Sequence, residues 1–499
     1  ALPMPEASKR RARTWLLTKA FGSRVLGWLA APSAALTQGA PAAALDKEAV
    51  RAEAEAELGL FLDGAQRLSL RRGTGRPKVS VIIVLFNQAG LSMLCLRALA
   101  DSLGTSFETI VVDNASTDRV PQLLERLDGA LVLRQDSNLG FLRAVNLAAE
   151  HATGEHLLLL NNDAVVEPQT LAHAVARLEA EPDAGAVGGP ILLWDGRLQE
   201  AGSIIWRDGS CQGHGRGDSP DAPAYRFVRD VDYCSGAFLM VRRTLFEQLG
   251  RFDTDFAPAY YEESDLCVRL WQAGHRVVYD PQLRVKHFEF ASDTGSGQAM
   301  ALQARNRSRF VAKHGPYLQT RPEPGTDAAL LGASQILRPG ARRILIIDDR
   351  VPLPELGRGY PRAAKIASII GEGRDAVTYY PLQIAEARWD EVYAVLNPRT
   401  EVILDRGLAG LSAFLSQRAG QFDLILVSRP HNMEPVVALR VAHPEWFDSA
   451  RIIYDAEALF CLRTIERAKV MGRPLSEAKA QALLHEELSL AREADRIVA

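Results

Sequence analysis

The stretch LLLLNND at residues 157–163 joins an apolar run to a polar, acidic end. Four consecutive leucines are typical of a short strand that is covered on both faces of a parallel sheet. The run stops at Asn161, Asn162 and Asp163, and Pro168 can open the next helix. Open α/β sheets bind ligands at the carboxyl ends of their strands. The stretch therefore predicts an α/β fold with Asp163 at its ligand-binding edge, although an Asn/Asp turn after a core strand gives the same local pattern.

The residues before this stretch repeat the alternation of apolar strands and helices. Strands are predicted at VSVIIVL (79–85), FETIVVD (107–113) and 131–133, and helices near 91–103 and after 140. Every strand ends in polar residues, which indicates a parallel sheet with right-handed crossovers and one polar edge. An acidic helix is predicted over 46–70, and its packing residues would be Leu58, Phe61, Leu62 and Leu68.

Length and composition limit the classes of function. The 499 residues suffice for two to three domains, and 47% hydrophobic with 24% charged residues is typical of globular chains. The net charge of −3 gives no electrostatic reason to expect nucleic acid as a partner. The five cysteines are an odd number without a CxxC pair, which favours a reducing compartment and no structural zinc. We therefore expect a cytoplasmic protein.

Residues 9–30 are basic and apolar, a composition found in segments that lie on membranes. Projected at about 100° per residue, their large apolar side chains scatter around the whole helix, which makes a poor interfacial helix. No apolar run approaches the roughly 18 to 20 residues of a spanning helix. Peripheral contact with the inner face of a membrane is kept as an expectation, and 30–44 is predicted as a linker. Because the chain begins at Ala1 without an initiator methionine, we also expect a segment cut from a longer protein.

An ordered series of motifs carries a resemblance to a known family. VSVIIVLFN, IVVDNASTD, NLGFLRAVN and LLLLNND are followed by DVDYCSGAFLMVRR (230–243), the segment 249–281, VKHFEFAS (285–292) and RNRSRFVAKH (305–314). This series resembles family-2 glycosyltransferases of the GT-A fold. The resemblance implies a Rossmann-like, nucleotide-sugar-binding domain at 77–320, preceded by a helical and linker segment at 1–76.

The resemblance also implies a donor site at the ends of the first strands. Leu85 and Phe86 would flank the nucleotide base, and Asp113 would accept hydrogen bonds from the base or the ribose. Residues 138–146 would lie near the diphosphate, with Arg143 as the cation. The structural alternatives are a helix N-cap or turn for Asp113 and a surface position for Arg143. The full set of implied donor-binding residues is Leu85, Phe86, Asn87, Asp113, Asn138, Arg143 and Asn162.

A metal site follows from the same resemblance. Asp163 matches the last acid of the family's DXD motif, and Asn161 stands where the first acid is usual. One carboxylate with two diphosphate oxygens can still hold Mg²⁺ or Mn²⁺. His287 matches the family's second metal ligand, and its imidazole favours Mn²⁺ somewhat. For a lone histidine, a hydrogen-bonded loop residue is the structural alternative.

The motif YYEESDLCVRL (260–270) supplies the catalytic base by resemblance. The family usually has Glu-Asp at positions 262 and 263, and its second acid deprotonates the acceptor hydroxyl, so Glu263 takes this role. Because its side chain is longer than the usual aspartate, Glu262 and Asp265 remain alternatives. At a helix N-terminus the dipole would favour the charged forms of the two glutamates. Asp265 can instead pair with Arg269, four residues further on.

Two other segments have compositions that indicate a role. Ser235 and Gly236 resemble the family's acceptor-side turn, where a small residue allows close approach of the backbone. The Gly-, Asp- and Pro-rich loop 209–224, with His214 and Arg216, has the composition of a lid or acceptor loop.

A second α/β domain is predicted at 341–499, after a Pro-rich linker at 321–340. RRILIIDD (342–349), AVTYYPL (376–382), DLILVS (423–428), ARIIYDAEAL (450–459) and DRIVA (495–499) are its strand candidates. This Rossmann-like unit resembles the N-terminal half of a family-4 GT-B glycosyltransferase, truncated before its donor-binding half. A Rossmann-like interaction domain is the alternative.

The resulting hypothesis is an inverting, metal-dependent glycosyltransferase. It would move a hexosyl or deoxyhexosyl group from a UDP- or dTDP-sugar to the glycan or glycolipid acceptor of a growing surface polysaccharide. A non-catalytic glycan- or nucleotide-binding module and a nucleotidyltransferase are the alternatives. The intact set Asp113, Asp163, Glu263 and His287 argues against a dead module. A nucleotidyltransferase would carry a Gly-rich, basic signature after the first strand, and LFNQAG lacks it.

Overall fold

The computed structural model describes residues 47–289, 296–357, 359–384, 387–456 and 459–498. The basic segment 9–30 and the predicted linker 30–44 lie outside these ranges. Within these ranges, no helix is both long enough and apolar enough to cross a membrane.

The first part of the described chain folds around one large mixed sheet. Its helices are α1 (Lys47–Asp63), α2 (Ala89–Ala100), α3 (Val120–Leu124), α4 (Phe141–Ala149), α5 (Thr170–Ala180), α6 (Arg243–Gln248), α7 (Glu262–Gln272) and α8 (Ser296–Leu318). Its strands are β1 (Leu68–Ser69), β2 (Val79–Leu85), β3 (Phe107–Asp113), β4 (Leu127–Asp128), β5 (Ala130–Arg134), β6 (His156–Asn161), β7 (Ala164–Val166), β8 (Ala184–Gly188), β9 (Pro190–Leu192), β10 (Leu198–Ala201), β11 (Ser203–Ile205), β12 (Cys211–Gly213), β13 (Arg229–Asp230), β14 (Phe238–Arg242), β15 (Arg276–Tyr279) and β16 (Val285–His287).

The large sheet has the strand order β13–β15–β8–β14–β6–β2–β3–β5, with the LLLL strand β6 near its centre. All four leucines are buried, as a strand covered on both faces requires. β5, β3, β2 and β6 are mutually parallel, as predicted. β14 runs antiparallel to both β6 and β8, so the expectation of a wholly parallel sheet is wrong. The connection from β8 to its sheet neighbour β14, residues 189–237, contains no α-helix of the kind that usually forms a parallel crossover.

The carboxyl ends of the parallel strands meet at one edge. Leu85 pairs with Asp113 and Val84 pairs with Asn161, so the polar tails of β2, β3 and β6 lie side by side. A smaller sheet of order β10–β9–β16–β7 includes the strand that directly follows Asp163. In this sheet β16 pairs with β7, which places His287 opposite Ala164.

The predicted acidic helix is shorter than expected. α1 ends at Asp63, where Gly64 has little propensity to continue a helix. Leu58 and Phe61 are buried as predicted. Leu68 instead begins β1, which pairs in parallel with β4.

The second sheet is parallel throughout, in the order β19–β18–β17–β20–β21–β22. Its strands are β17 (Arg343–Asp348), β18 (Ala376–Pro381), β19 (Glu401–Val402), β20 (Leu424–Ser428), β21 (Arg451–Asp455) and β22 (Arg496–Val498). The helices of this part are α9 (Asp327–Ala333), α10 (Tyr360–Gly371), α11 (Trp389–Val395), α12 (Gly407–Gln417), α13 (Pro430–Ala442), α14 (Phe460–Val470) and α15 (Glu477–Arg492). Alternate residues of β17 belong to two different apolar clusters, so both faces of the sheet are covered. The resemblance to half of a GT-B fold stays a prediction.

The segment 321–340, predicted as a linker, is packed at the boundary between the two sheets. It contains α9, and the carbonyl of Ser334 accepts a hydrogen bond from Nε of the buried Arg229 at 3.1 Å. The backbone N–H of Ile336 donates to the carbonyl of Asp230 at 2.8 Å.

Ion pairs cross the same boundary. Arg399, which precedes β19, binds Glu181 at 2.5 Å and Asp230 at 3.0 Å. Arg276 in β15 binds the same two carboxylates at 2.7 and 2.6 Å. Each carboxylate therefore lies between a guanidinium from each part of the chain. We name these four residues, Glu181, Asp230, Arg276 and Arg399, the boundary cluster.

Candidate functional site

Asp163 and His287, the two predicted metal ligands, lie together at the polar edge of the large sheet. Asp163 Oδ1 is 3.2 Å from His287 Nε2, and Asn161 Nδ2 is 3.3 Å from the same nitrogen. The pairing of β16 with β7 brings the histidine to the end of β6. Both ligand side chains are largely buried, which suits a site that excludes bulk water.

Gln199, in β10, fixes the orientation of His287. Its Oε1 lies 2.9 Å from His287 Nδ1. Because an amide oxygen only accepts hydrogen bonds, this contact favours a proton on Nδ1 and leaves Nε2, on the side of Asp163, as the nitrogen that could bind a metal once it is deprotonated. Metal-ligating histidines are oriented in this way by an acceptor on their other nitrogen. Sequence reasoning missed Gln199, because the segment around it has no ligand spacing.

The charges around Asp163 and His287 favour the binding of a cation. Burial lowers the pKa of His287, but attraction to Asp163, and then to Glu200 and Glu289, outweighs it, so the pKa is raised. Among the residues with described positions, no group of three or more His, Cys, Asp or Glu could hold a metal ion. A pair of protein ligands fits a cation that fills its other positions with substrate phosphates and water.

Replacing Gln199 with leucine should weaken Mn²⁺ affinity by about 10- to 100-fold, because His287 would lose the acceptor that sets its tautomer. Titration of the metal, followed by electron paramagnetic resonance of free Mn²⁺, measures this directly. Gln212→Leu is the matched control, since its Oε1 accepts from Trp206 Nε1 rather than from a histidine. Equal affinity in the wild type and Gln199→Leu would contradict the positioning role.

Glu262 and Glu263 begin α7 directly after a strained turn. Tyr260 and Tyr261 both have left-handed φ angles, 74° and 73°, which non-glycine residues adopt mainly where the fold imposes them. The fully buried Asn306 holds this turn. Its Nδ2 donates to the carbonyls of Phe256, Ala259 and Tyr260 at 2.7, 2.8 and 3.0 Å. The RNRSRF motif therefore acts, through Asn306, on the position of the two glutamates.

Glu263 faces the turn that was predicted to lie beside the acceptor. A Cβ built on Gly236 would lie 3.9 Å from Cβ of Glu263, an ordinary van der Waals distance, so Gly236 and the Glu263 side chain are direct neighbours. Burial raises the pKa of Glu263 to about 7, a hydrogen bond from its own backbone N–H opposes this rise, and the charge of Glu200 adds to it. A carboxylate with a pKa near neutrality is well suited to general base catalysis.

The two alternative bases have less suitable surroundings. Glu262 is buried and its Oε2 has no hydrogen-bond partner among the described residues. Burial, and then the charge of Glu263, raise the pKa of Glu262 well above its ordinary value, which favours its protonated form. Asp265 is fully buried, and its oxygens lie 2.8 Å from Arg269 Nε and 2.8 Å from His314 Nε2. The pairing of Asp265 with Arg269 is thus present.

Glu200 is a further acid that sequence reasoning missed. It follows Gln199 in β10, and its Oε2 accepts a hydrogen bond from Ser203 Oγ at 2.6 Å. Burial raises its pKa, whereas hydrogen bonds from Ser203 and Ser235 lower it. Its charge raises the pKa of both His287 and Glu263.

The residues predicted to hold the nucleotide differ in their exposure. Leu85 is fully buried in the apolar core, so it would contact a base through its backbone and not through its side chain, and this role stays a prediction. Phe86 is 37% exposed at the same strand end and can contact one. Asp113 is buried and its Oδ1 accepts from the backbone N–H of Ser116 at 3.0 Å, the turn alternative.

Three of the predicted donor residues use their side chains to hold loops. Asn87 Oδ1 accepts from the N–H of Thr117 at 2.8 Å, and Asn162 Nδ2 donates to Ser92 Oγ at 3.0 Å. Asn138 Oδ1 accepts from Asn114 Nδ2 at 2.7 Å. These contacts order the loops at the polar edge, and the donor-binding role of the three residues stays a prediction.

Helix α4 gives different surroundings to its two polar residues. Arg143 is exposed, so its guanidinium can reach a ligand at the surface. Asn146 binds the backbone of Phe252 through both its Oδ1 and its Nδ2, at 3.0 and 2.8 Å. Asn146 therefore contributes to the packing of the fold, and the position of 138–146 near the diphosphate stays a prediction.

The loop 209–224 is more firmly packed than a lid. β12 pairs with β11, and His214 is buried with its N–H bonded to the carbonyl of Gly202 at 3.0 Å. Arg216 binds both oxygens of Glu289, at 2.9 and 2.6 Å, two residues beyond His287. The loop thus supports the strand that carries the histidine.

Comparisons with known proteins agree with the motif series. The model of Glycosyl transferase family 2 matches residues 80–250. The O-antigen biosynthesis protein RfbC of Myxococcus xanthus is 32% identical over 332 residues, which cover 63% of this chain and 25% of that protein. An uncharacterized protein, y4gI, of Sinorhizobium fredii is 31% identical over 234 residues, again covering 25% of its length. The chain thus spans about a quarter of the length of these two relatives.

A shorter relative is covered over most of its length. The N-acetylglucosaminyl-diphospho-decaprenol L-rhamnosyltransferase of Mycobacterium tuberculosis is 31% identical over 240 residues, 43% of this chain and 77% of that protein. Among solved structures, a mannosyltransferase from Pyrobaculum calidifontis in complex with GDP-Man and Mn²⁺ is 22% identical, with a TM-score of 0.36, covering 57% of this chain and 78% of that one. The family match and the coverage of the rhamnosyltransferase show that this chain belongs to glycosyltransferase family 2.

Proposed function

We propose that the part of the chain at 77–320 transfers a sugar from a nucleotide-sugar donor to a glycan or glycolipid acceptor, with inversion at the anomeric carbon. The observation that supports this proposal best is the placement of two kinds of group at one sheet edge. The Asp163–His287 pair suits a cation, and Glu263, with a pKa of about 7, suits a proton acceptor. The charge of Glu200 raises the pKa of both His287 and Glu263.

Asp163 and His287 would hold Mn²⁺ or Mg²⁺, which when bound neutralises charge on the departing nucleoside diphosphate. Gln199 would hold the ring of His287 so that Nε2 faces the cation. Phe86 would pack against the base, Asp113 would accept from the base or ribose, and Arg143 would approach the diphosphate from α4.

Glu263 would act on the acceptor. In an inverting transfer the acceptor oxygen attacks the anomeric carbon as the bond from that carbon to the phosphate oxygen breaks. Glu263 takes the proton of the acceptor hydroxyl, and the diphosphate leaves with the bonding electron pair. Gly236 lies beside the Glu263 side chain, on the proposed acceptor side.

The substrate class follows from the relatives. The names of two of them refer to O-antigen biosynthesis and to rhamnosyl transfer onto a diphospho-decaprenol acceptor. We propose a UDP- or dTDP-linked hexose or deoxyhexose as donor and a surface-polysaccharide or glycolipid intermediate as acceptor, at the cytoplasmic side of the membrane. A non-catalytic module would have no need of a carboxylate such as Glu263, which lies beside Gly236 and has a pKa raised to about 7.

The pH dependence of transfer tests this function. Glu263 must be ionised to accept a proton, so kcat/KM should rise about tenfold per pH unit below about pH 7 and level off above it. The rate is measured as nucleotide release in the presence of Mn²⁺, and the anomeric configuration of the product is read by NMR. A rate independent of pH from 5.5 to 8.5, or a product that retains the donor's configuration, would reject the mechanism.

A further inference from the structure

The second sheet carries a crevice that the proposed transfer chemistry does not use. It has a volume of about 470 Å³ and lies beyond the carboxyl ends of β17, β18 and β20. From β17 the chain proceeds to β18 and β19 on one side, and then enters β20 on the other side. The crevice therefore lies where the winding direction reverses, which is the position at which open parallel sheets bind ligands. We name it the switch-point crevice.

The lining of the switch-point crevice combines polar groups with an aliphatic patch. The polar residues are Asp349, Gln383, His431, Asn432 and Glu434. The aliphatic patch is formed by Leu382, Leu408 and Pro435. Carboxylate and amide oxygens accept hydrogen bonds from hydroxyl groups, and amide N–H groups donate to them. An aliphatic patch beside such groups suits the C–H face of a sugar ring.

The polar groups are held in place before any ligand arrives. Asp349 Oδ1 accepts from His431 Nε2 at 2.5 Å, and its Oδ2 accepts from Arg429 at 3.0 Å. Asn432 is almost fully buried, and its Nδ2 donates to the carbonyl of Ser428 at 2.7 Å. Burial raises the pKa of Asp349, but the hydrogen bond from His431 and the charge of Arg429 outweigh it and keep the carboxyl ionised. Pre-organised groups of this kind reduce the entropy lost on binding.

Arg429 shows that the backbone has been constrained at this place. Its φ of 75° is left-handed, which is uncommon for a non-glycine residue and is concentrated at functional sites. This conformation directs its guanidinium to Asp348 as well as Asp349, with the ring of Tyr360 4.7 Å away. The charge of the arginine is thus balanced by two carboxylates.

The balance of charge decides the class of ligand. The carboxylates of Asp348, Asp349 and Glu434 face the guanidinium groups of Arg350 and Arg429 and the imidazole of His431, so a phosphate or another anion would find no excess of positive charge. Hydroxyl groups need no such excess and find both acceptors and donors. We propose that the switch-point crevice binds a neutral, hydroxyl-rich saccharide, at a site separate from the transfer site of the large sheet.

Saturation-transfer NMR and calorimetry on the full 499-residue chain test the proposal. The probes are cellotriose, maltotriose and a rhamnose disaccharide, with inorganic diphosphate as the anionic comparison. At least one neutral probe should bind, and Glu434→Gln and His431→Ala should each weaken it by about tenfold, because each removes a polar contact. Glu434 is exposed, so its replacement by glutamine leaves folding unaffected. The matched control, Glu466→Gln on the exposed face of α14, should bind as tightly as the wild type.

The same measurements on Asp163→Ala separate the two sites. Saccharide binding should persist in this variant, whereas metal-dependent donor binding should be lost. If saccharide binding disappears with Asp163, the probe occupies the transfer site, and the switch-point proposal is overturned while the proposed function stands. No binding of any neutral probe at millimolar concentration, tighter binding of diphosphate, or unchanged binding in both crevice variants would also overturn it.

Discussion

Replacing Asp163 with alanine is expected to abolish metal-dependent binding of the nucleotide-sugar. The carboxylate is one of two protein groups that can reach a cation at the end of β6, so its loss should weaken metal affinity by at least about 100-fold. The fold should remain intact, because the side chain follows the strand instead of packing in the apolar core. His287→Ala should also weaken metal affinity, but by a smaller factor, since an imidazole contributes no negative charge.

Calorimetric titration of Mn²⁺ in the presence of the donor gives the affinities of these variants. Asp128→Ala is the matched control, because it removes one aspartate from the distant strand β4, where its partner is Arg67. Circular dichroism shows whether each variant is folded. Unchanged Mn²⁺ dependence in both Asp163→Ala and His287→Ala would exclude the metal assignment.

Glu263→Gln should lower kcat by at least roughly 10²-fold while the donor Kd stays nearly unchanged. Glutamine keeps the shape and hydrogen bonding of the side chain but cannot take a proton from the acceptor. The loss corresponds to about 2.7 kcal/mol of transition-state stabilisation. Donor affinity should be unchanged, because Glu263 faces Gly236, on the proposed acceptor side, and not the Asp163–His287 pair.

Two parallel variants test whether the base is placed correctly. Asp265→Asn should mainly reduce stability, because the carboxylate is buried between Arg269 and His314. Glu262→Gln should retain most activity, since its raised pKa already favours the neutral acid. A loss of kcat in Glu262→Gln that exceeds the loss in Glu263→Gln would assign the role of base to Glu262.

Much of the fold could be predicted from local pattern. β2, β3 and the core of β6 lie where apolar runs predicted them, because strands buried on both faces leave a continuous apolar signature. The direction of β14 could not be predicted, since periodicity carries no information about which neighbour a strand pairs with. The early end of α1 was missed because Leu68 continues a helical spacing that Gly64 interrupts.

The candidate site was predicted where a motif places the chemistry and missed where only tertiary pairing does. Asp163 and His287 were found by their motifs, and they lie together. Gln199 and Glu200 lie at the site because β10 belongs to the small sheet, and no local sequence pattern predicts that pairing. The inward direction of the Leu85 side chain was not predicted, since the last residue of a strand points either into the core or out of it, and sequence alone does not say which.

The boundary cluster bears on how a minimal enzyme could be made. Cutting the chain at residue 340 would remove Arg399 from both carboxylates, leaving Glu181 with Arg177 and Arg276, and Asp230 with Arg276 and Arg338. A buried carboxylate that loses a partner destabilises the folded state. A fragment designed around 77–320 would therefore need compensating substitutions, such as neutral residues at these two acids. The residue at which such a fragment can end is therefore determined by the ion pairs of Arg399 and not by the position of the last recognisable motif.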